Sequence, residues 1–295
     1  MSYQAEFTGW RSLTIEDLLI AYRKAKADCF FENTFPTAIK FTEYEQNLLA
    51  NLNGLLGQLK TDKGFKNNNK LMGSFRLLPK KLSTTKKSDT TENDHVHFSK
   101  PEKAVENLFN NYDIVPEFRI VGDFPVETHI ISALWINMIG HRFDGKLDDS
   151  CYGARLKRIH NDELFADNDE KPFHISSIGS FVPYFQPYQK WRNDDLTSIR
   201  DELKKDRDVI AVSLDLKSYY HFIDPLAISK VALHKALNLE LTNKEKSFNK
   251  QLAQFLNNWA ESATEFGQTI GGKDSIQSLY RNTMAHRRSA QRISA

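Results

Sequence analysis

Apolar positions in this chain recur with the period of helices more often than with that of strands. Thr14-Ile-Glu-Asp17 has the form of a capping box with Leu13 placed to staple it. Beyond it, Leu18, Leu19, Tyr22, Ala25 and Cys29 share one predicted helical face, beside Arg23, Lys24 and Lys26. A second stripe, Leu48, Leu49, Leu52, Leu55, Leu56 and Leu59, predicts a core-facing helix over about 43–59. An apolar helix is predicted over 127–138, ending at Gly140. A second capping box, Thr242-Asn-Lys-Glu245, opens a helix with Phe248, Leu252, Phe255, Leu256, Trp259 and Ala263 on one side. Between these stripes, 62–69 is rich in Gly, Lys and Asn, and 79–103 is almost wholly polar. The latter predicts a long mobile loop, because so little apolar surface cannot offset the entropy of ordering it. Residues 181–191 carry five aromatics and two prolines, which predicts an extended, well-packed stretch, followed by a charged helix over about 195–205.

Composition changes this picture little. With 295 residues, a net charge of +2 and 40% hydrophobic residues, the chain has ordinary globular values. The balance of charge identifies no nucleic-acid binder, since phosphate contacts depend on local clusters of Lys and Arg. The two cysteines, Cys29 and Cys151, are far apart, which excludes a disulfide scaffold and a zinc ribbon and suits a reducing compartment. His95 and His97 stand in the polar segment without ligand-spaced partners. Residues 1–10 lack the features of a signal peptide, and no stretch approaches the roughly 20 apolar residues that span a bilayer. The expectation is a soluble cytoplasmic protein with no membrane contact.

The segment that carries chemistry is Val209-Ile-Ala-Val-Ser-Leu-Asp215-Leu-Lys-Ser-Tyr-Tyr220-His-Phe-Ile-Asp224-Pro225. It reads as a short buried strand ending in a carboxylate, then a tight turn with paired aromatics, then a helix with Asp224 as N-cap and Pro225 first inside. A carboxylate at a strand end can bind Mg²⁺, which prefers carboxylate, water and phosphate oxygens. In two-metal nucleotidyl transfer one ion activates the attacking hydroxyl and the other steadies the leaving pyrophosphate, so at least one more carboxylate is required.

This segment resembles motif A of the reverse transcriptases, in particular the bacterial lineage of abortive-infection and antiphage-defence enzymes. Two upstream elements are similar to that lineage as well: Tyr152-Gly-Ala-Arg155-Leu and the aromatic Tyr184-Phe-Gln-Pro-Tyr188. The resemblance implies an α+β right-hand fold with fingers and a partial palm, the RRM-like palm sheet being incomplete. Its regions would be a helical N-terminal part (1–78), a polar flexible loop (79–104), a fingers-like part (105–208), a partial palm with motif A (209–270) and an aberrant tail (271–295). It implies template-directed DNA synthesis from RNA with two Mg²⁺ ions. Asp215 would be the catalytic metal ligand and the Leu216 carbonyl a second ligand. Tyr220, with Tyr219 beside it, would lie under the sugar of the incoming dNTP and exclude a 2′-hydroxyl. Arg155, Lys157 and Arg158 would approach phosphates. The implied partners are an RNA template, a DNA product or primer, and a second polymerase subunit or further copies of the chain.

The resemblance ends after Phe266. Neither the Gly-Leu-Pro-x-Gly turn nor the Tyr-x-Asp-Asp hairpin that completes the metal site follows, and Asp274 is the only acidic residue beyond Glu265. The expectation is a truncated chain, with the stretch from His286 compatible with a one-base-shifted reading of the missing turn. The upstream pairs Asp148-Asp149 and Asp194-Asp195 do not lie between apolar strand runs. Two alternatives compete. Arg281-Asn-Thr-Met-Ala-His286 fits the Arg-Asn-x-x-x-His motif of HEPN-type ribonucleases, in which His transfers protons and Arg stabilises phosphate without a metal. A non-catalytic module binding nucleic acid or a partner is the other.

Overall fold

The computed structural model describes residues 6–31, 35–61, 64–86, 99–159, 172–214 and 223–270. These fall into two units, one drawn from 1–73 with 124–295 and the other being 74–123. Mostly helical α+β structure results, with one two-stranded antiparallel sheet among the described residues.

In the larger unit, helix α1 (Ile15–Phe31) opens as its sequence predicts. Thr14 Oγ1 accepts from the Asp17 N–H at 3.2 Å, and Asp17 Oδ2 accepts from the Thr14 N–H and hydroxyl at 2.8 Å each. Leu18, Tyr22 and Ala25 are buried, whereas Leu19 is exposed and Ala21 takes its place. Leu19 lies more than a quarter turn from Leu18, and the stripe facing the core runs through 18, 21, 22 and 25.

The helix predicted over about 43–59 is divided between α2 (Phe35–Glu45) and α3 (Leu48–Lys60), and the leucine stripe falls wholly in α3. The break has a local cause. Gln46 and Asn47 donate back to the carbonyls of Glu43 and Tyr44, and the Asn51 amide donates to the Tyr44 carbonyl at 2.9 Å. These bonds satisfy the open end of α2. Leu52, Leu55 and Leu59 enter the core and Leu49 faces solvent. The short α4 (Asn69–Met72) is capped by Asn68, whose side chain accepts from the Lys70 N–H at 3.0 Å.

The smaller unit is a ladder of β1 (Ser74–Lys86) against β2 (Tyr112–Asp123), in register from Ser74↔Asp123 to Lys86↔Tyr112. Helix α5 (Pro101–Asn111) leads into β2. Thus 79–86, expected in a polar loop, is strand, and the boundary expected at 104 falls inside α5. Composition misled because the ladder is held by backbone pairing to an apolar partner strand, and Thr84 and Thr85 suit extended structure. The register shift between Pro79 and Lys81 accommodates the proline, which has no N–H to give.

Back in the larger unit, α6 (Val126–Trp135) passes through a π turn (Ile136–Gly140) into α7 (His141–Asp144) and packs along α1. Helix α8 (Phe185–Leu203) corrects another expectation: residues 185–191 begin a helix and their aromatic rings lie at the surface. Pro187 falls in the first turn, where an N–H has no helical acceptor and its loss costs nothing. After α8, residues 209–214 are neither strand nor buried: Ile210 is 91% and Leu214 89% exposed. A strand needs a neighbour for its N–H and C=O groups, and the described residues of this unit offer none. The palm sheet expected over 209–270 is therefore absent among the described residues.

Asp224 does cap the next turn. Its carboxylate accepts from the Leu226 N–H at 2.9 Å, with Pro225 first in a 3-10 turn (Pro225–Ser229) that precedes α9 (Val231–Ala236). The capping box at α10 (Asn243–Ile270) also forms: Glu245 accepts from the Thr242 N–H at 2.7 Å and Thr242 Oγ1 from the Glu245 N–H at 3.2 Å. Phe248 of α10 sits centrally, with ring centroids 5.0, 4.6 and 6.0 Å from Phe7, Trp10 and Phe65. Each such buried ring contributes about 1.5–3 kcal/mol.

Candidate functional site

The residues singled out from sequence fall into two groups. Asp215, Leu216, Tyr219 and Tyr220 lie outside the described residues, as do Arg281, His286, the histidines at 95 and 97, and the whole tail expected over 271–295. Arg155, Lys157 and Arg158 are described, and their surroundings can be built up from the chain.

Helix α7 ends in Asp144, whose side chain is nearly buried. Its Oδ1 accepts from Arg155 Nε at 3.1 Å and from the Leu156 N–H at 3.2 Å, while Oδ2 accepts from Arg158 at 2.6 Å. One carboxylate thus holds two guanidinium groups and a backbone amide. Arg155 also donates to the carbonyls of Asp148 (2.9 Å) and Cys151 (3.1 Å), and Arg158 donates to that of His141 (3.0 Å). An arginine offers five donors in a fixed fork, and Arg155 spends its fork on closing the turn that follows α7. The two arginines are brought together, but as struts of a loop rather than as cations held out to a phosphate.

Two isolated bridges, Leu156↔Phe181 and Arg158↔Phe173, tie this loop to the next one. There the structure supplies a group that sequence reading passed over. Lys24 of α1 is 1% exposed, and its ammonium donates to the His174 carbonyl, Ser177 Oγ and the Gly179 carbonyl, each at 3.1 Å. It also stands 4.6 Å from the centre of the Phe173 ring. Desolvation drives its pKa down to about 8, with Asp28 pulling the other way. One turn on, Asp28 Oδ1 accepts from the Ser180 N–H at 2.7 Å. Gly179 has φ +70, and a Cβ there would stand 2.8 Å from that oxygen, so glycine alone fits the crossing. The signal was in the sequence: Asp17, Ala21, Lys24 and Asp28 recur at helical spacing beside the apolar stripe.

Lys157 belongs to the same cluster. It donates to the Ile178 carbonyl and lies 5.9 Å from the Phe31 ring. His141 stacks on the other partner of the loop, Phe173, at 5.5 Å and 13°, and burial lowers its pKa. Tyr152 reaches α8, donating its hydroxyl to Asp194 at 2.9 Å. Residues 152–158 and 173–182 therefore form one braced layer between α1, α7 and α8.

Metal binding finds no support in this layer. Among the described residues no group of three or more His, Cys, Asp or Glu side chains is placed to hold an ion. Asp224, the acidic neighbour of the candidate segment, already accepts from Leu226 and from Lys230 at 2.8 Å. A Mg²⁺ pair would have to rest on Asp215, the Leu216 carbonyl and carboxylates beyond those described.

No protein-family model, no curated protein and no solved structure matches the chain. The class that fold and site define is a mostly helical α+β protein with a braced loop layer beside an exposed aromatic helix. No helix among the described residues is long and apolar enough to cross a membrane.

Proposed function

We propose that the chain is a reverse-transcriptase-like protein, with Asp215 as its catalytic carboxylate and fingers-type structure preceding it. The role is template-directed nucleotidyl transfer with Mg²⁺, in a bacterial defence context. The observation that carries the reading is the order of features around the candidate segment. Asp224 caps and Pro225 opens a 3-10 turn directly after it, in the cap and first-residue positions the sequence assigns to them. The partial palm of the resemblance would need a partner strand for 209–214, from a second subunit or from residues beyond those described.

Incorporation of labelled dNTPs by the purified chain, on RNA and DNA templates with Mg²⁺, tests this beside Asp215→Ala. Incorporation that disappears in the variant is the expected result. Incorporation that survives Asp215→Ala, or is absent from the wild-type chain, overturns the reading. Absence of incorporation with nucleic-acid binding retained transfers it to the second candidate, a non-catalytic binding module. The exposed 210–214 segment, which no described strand pairs with, favours that candidate.

A further inference from the structure

Helix α8 is 19 residues long and buries none of its side chains. Its first turns nevertheless carry three large rings in succession. Tyr184, at the N-cap, lies 6.2 Å from Tyr188, and Tyr188 lies 5.7 Å from Trp191, centroid to centroid. The three are 80%, 49% and 45% exposed. Their spacing of four and three residues puts them on one helical face, so they form a continuous row rather than scattered surface rings. A single exposed aromatic is ordinary, but a row of three in mutual contact is apolar surface that a ligand would remove from water.

Charge and shape select the ligand. From Tyr184 to Asn193 the only charged residues are Lys190 and Arg192, both cationic; Lys190 stands over the Tyr152 ring at 5.7 Å, and Arg192 falls one turn beyond Tyr188 on the side of the rings. The first acid, Asp194, already accepts from Tyr152 on the neighbouring loop. Flat rings with a cation beside them suit bases and phosphates. We infer that the Tyr184–Tyr188–Trp191 face of α8 binds single-stranded nucleic acid by stacking bases on its rings, with Arg192 beside the phosphates. The inference rests on the nucleic-acid reading above and assigns it a strand-binding surface outside the Asp215 segment.

The test uses the full chain with fluorescein-labelled oligo-dT and oligo-U, in EDTA and without dNTPs, so that binding is read apart from catalysis. Tyr188→Ala and Trp191→Ala should each weaken binding at least about fivefold, while Tyr188→Phe and Trp191→Phe keep it. Arg192→Gln should lower the salt slope by about 0.7, the value of one phosphate contact on a single strand. Because neither ring enters the core, thermal midpoints should fall only slightly and the circular-dichroism spectrum should stay that of the folded chain, which separates lost binding from lost folding. Unchanged affinity in the alanine variants overturns the proposal, and so does absence of binding by the wild-type chain. A dimer in sedimentation that becomes monomeric in Trp191→Ala, with oligonucleotide affinity unaltered, would identify the face as a self-association surface and also overturn it. Failed dNTP incorporation with α8-dependent binding intact would sink the polymerase reading alone.

Discussion

Lys24 and Gly179 stand 155 positions apart in the chain, yet the ammonium of one donates to the carbonyl of the other at 3.1 Å. Two more acceptors, from His174 and Ser177, complete the cradle and leave the cation almost no water. Helix α1 is thereby fastened to the loop that precedes the exposed aromatic helix. A buried charge is tolerable only when each of its donors is met, and here all three N–H bonds of the ammonium have partners.

Lys24→Met should therefore destabilise the fold by roughly 1–3 kcal/mol in urea unfolding, because it strands the buried acceptors that the ammonium satisfies. The pH dependence has a definite sign. The folded pKa is about 8 against an ordinary 10.5, so between those values the unfolded chain carries the proton and the folded chain does not. The contribution of this group to stability accordingly rises as pH climbs from about 8 to 10.5, and is lost again as pH falls through 8. That component should be missing from the profile of Lys24→Met.

Asp144→Asn leaves Arg155 and Arg158 without their shared anion and offers the Leu156 amide a weaker acceptor. A loss of about 2–3 kcal/mol is expected by chemical denaturation. Limited proteolysis should show earlier cutting within 145–158, because the Arg155 fork that closes this turn would lose its fixed end.

Gly140 ends the π turn under the indole of Trp135, and a Cβ there would stand 2.5 Å from Trp135 Cζ3. Gly140→Ala should cost about 1–3 kcal/mol and alter near-ultraviolet dichroism as the indole shifts from its bond to Asn249. Gly57, inside α3, meets nothing within 4 Å. Gly57→Ala should instead raise stability by about 0.5–1 kcal/mol, measured in the same denaturation series.

Chemistry at the candidate segments divides by metal dependence. Nucleotidyl transfer at Asp215 should stop in EDTA, and Tyr220→Ala should raise the incorporation of ribonucleotides relative to deoxyribonucleotides by freeing the space at C2′. RNA cleavage that persists in EDTA and is lost in His286→Ala would instead assign the activity to the HEPN-type motif.

Local chemistry in the sequence by itself determined where several elements begin. The boxes Thr14 to Asp17 and Thr242 to Glu245, and the Asp224-Pro225 start, each satisfy helix-end amides with side chains a few residues away, so no distant contact is needed to form them. The buried stripe of α10 was legible for the same reason, since helical period is a property of neighbours. Tertiary structure alone decided matters that depend on a distant partner. Residues 79–86 are strand because β2 lies beside them, and 210–214 are exposed because no described strand pairs with them. Lys24 is buried because the 173–180 loop covers it, and Arg155 is a strut because Asp144 ends α7 within its reach. A lysine or an arginine reads as a surface cation in sequence, and only the acceptors brought to it by folding determine whether its charge faces water or holds the chain together.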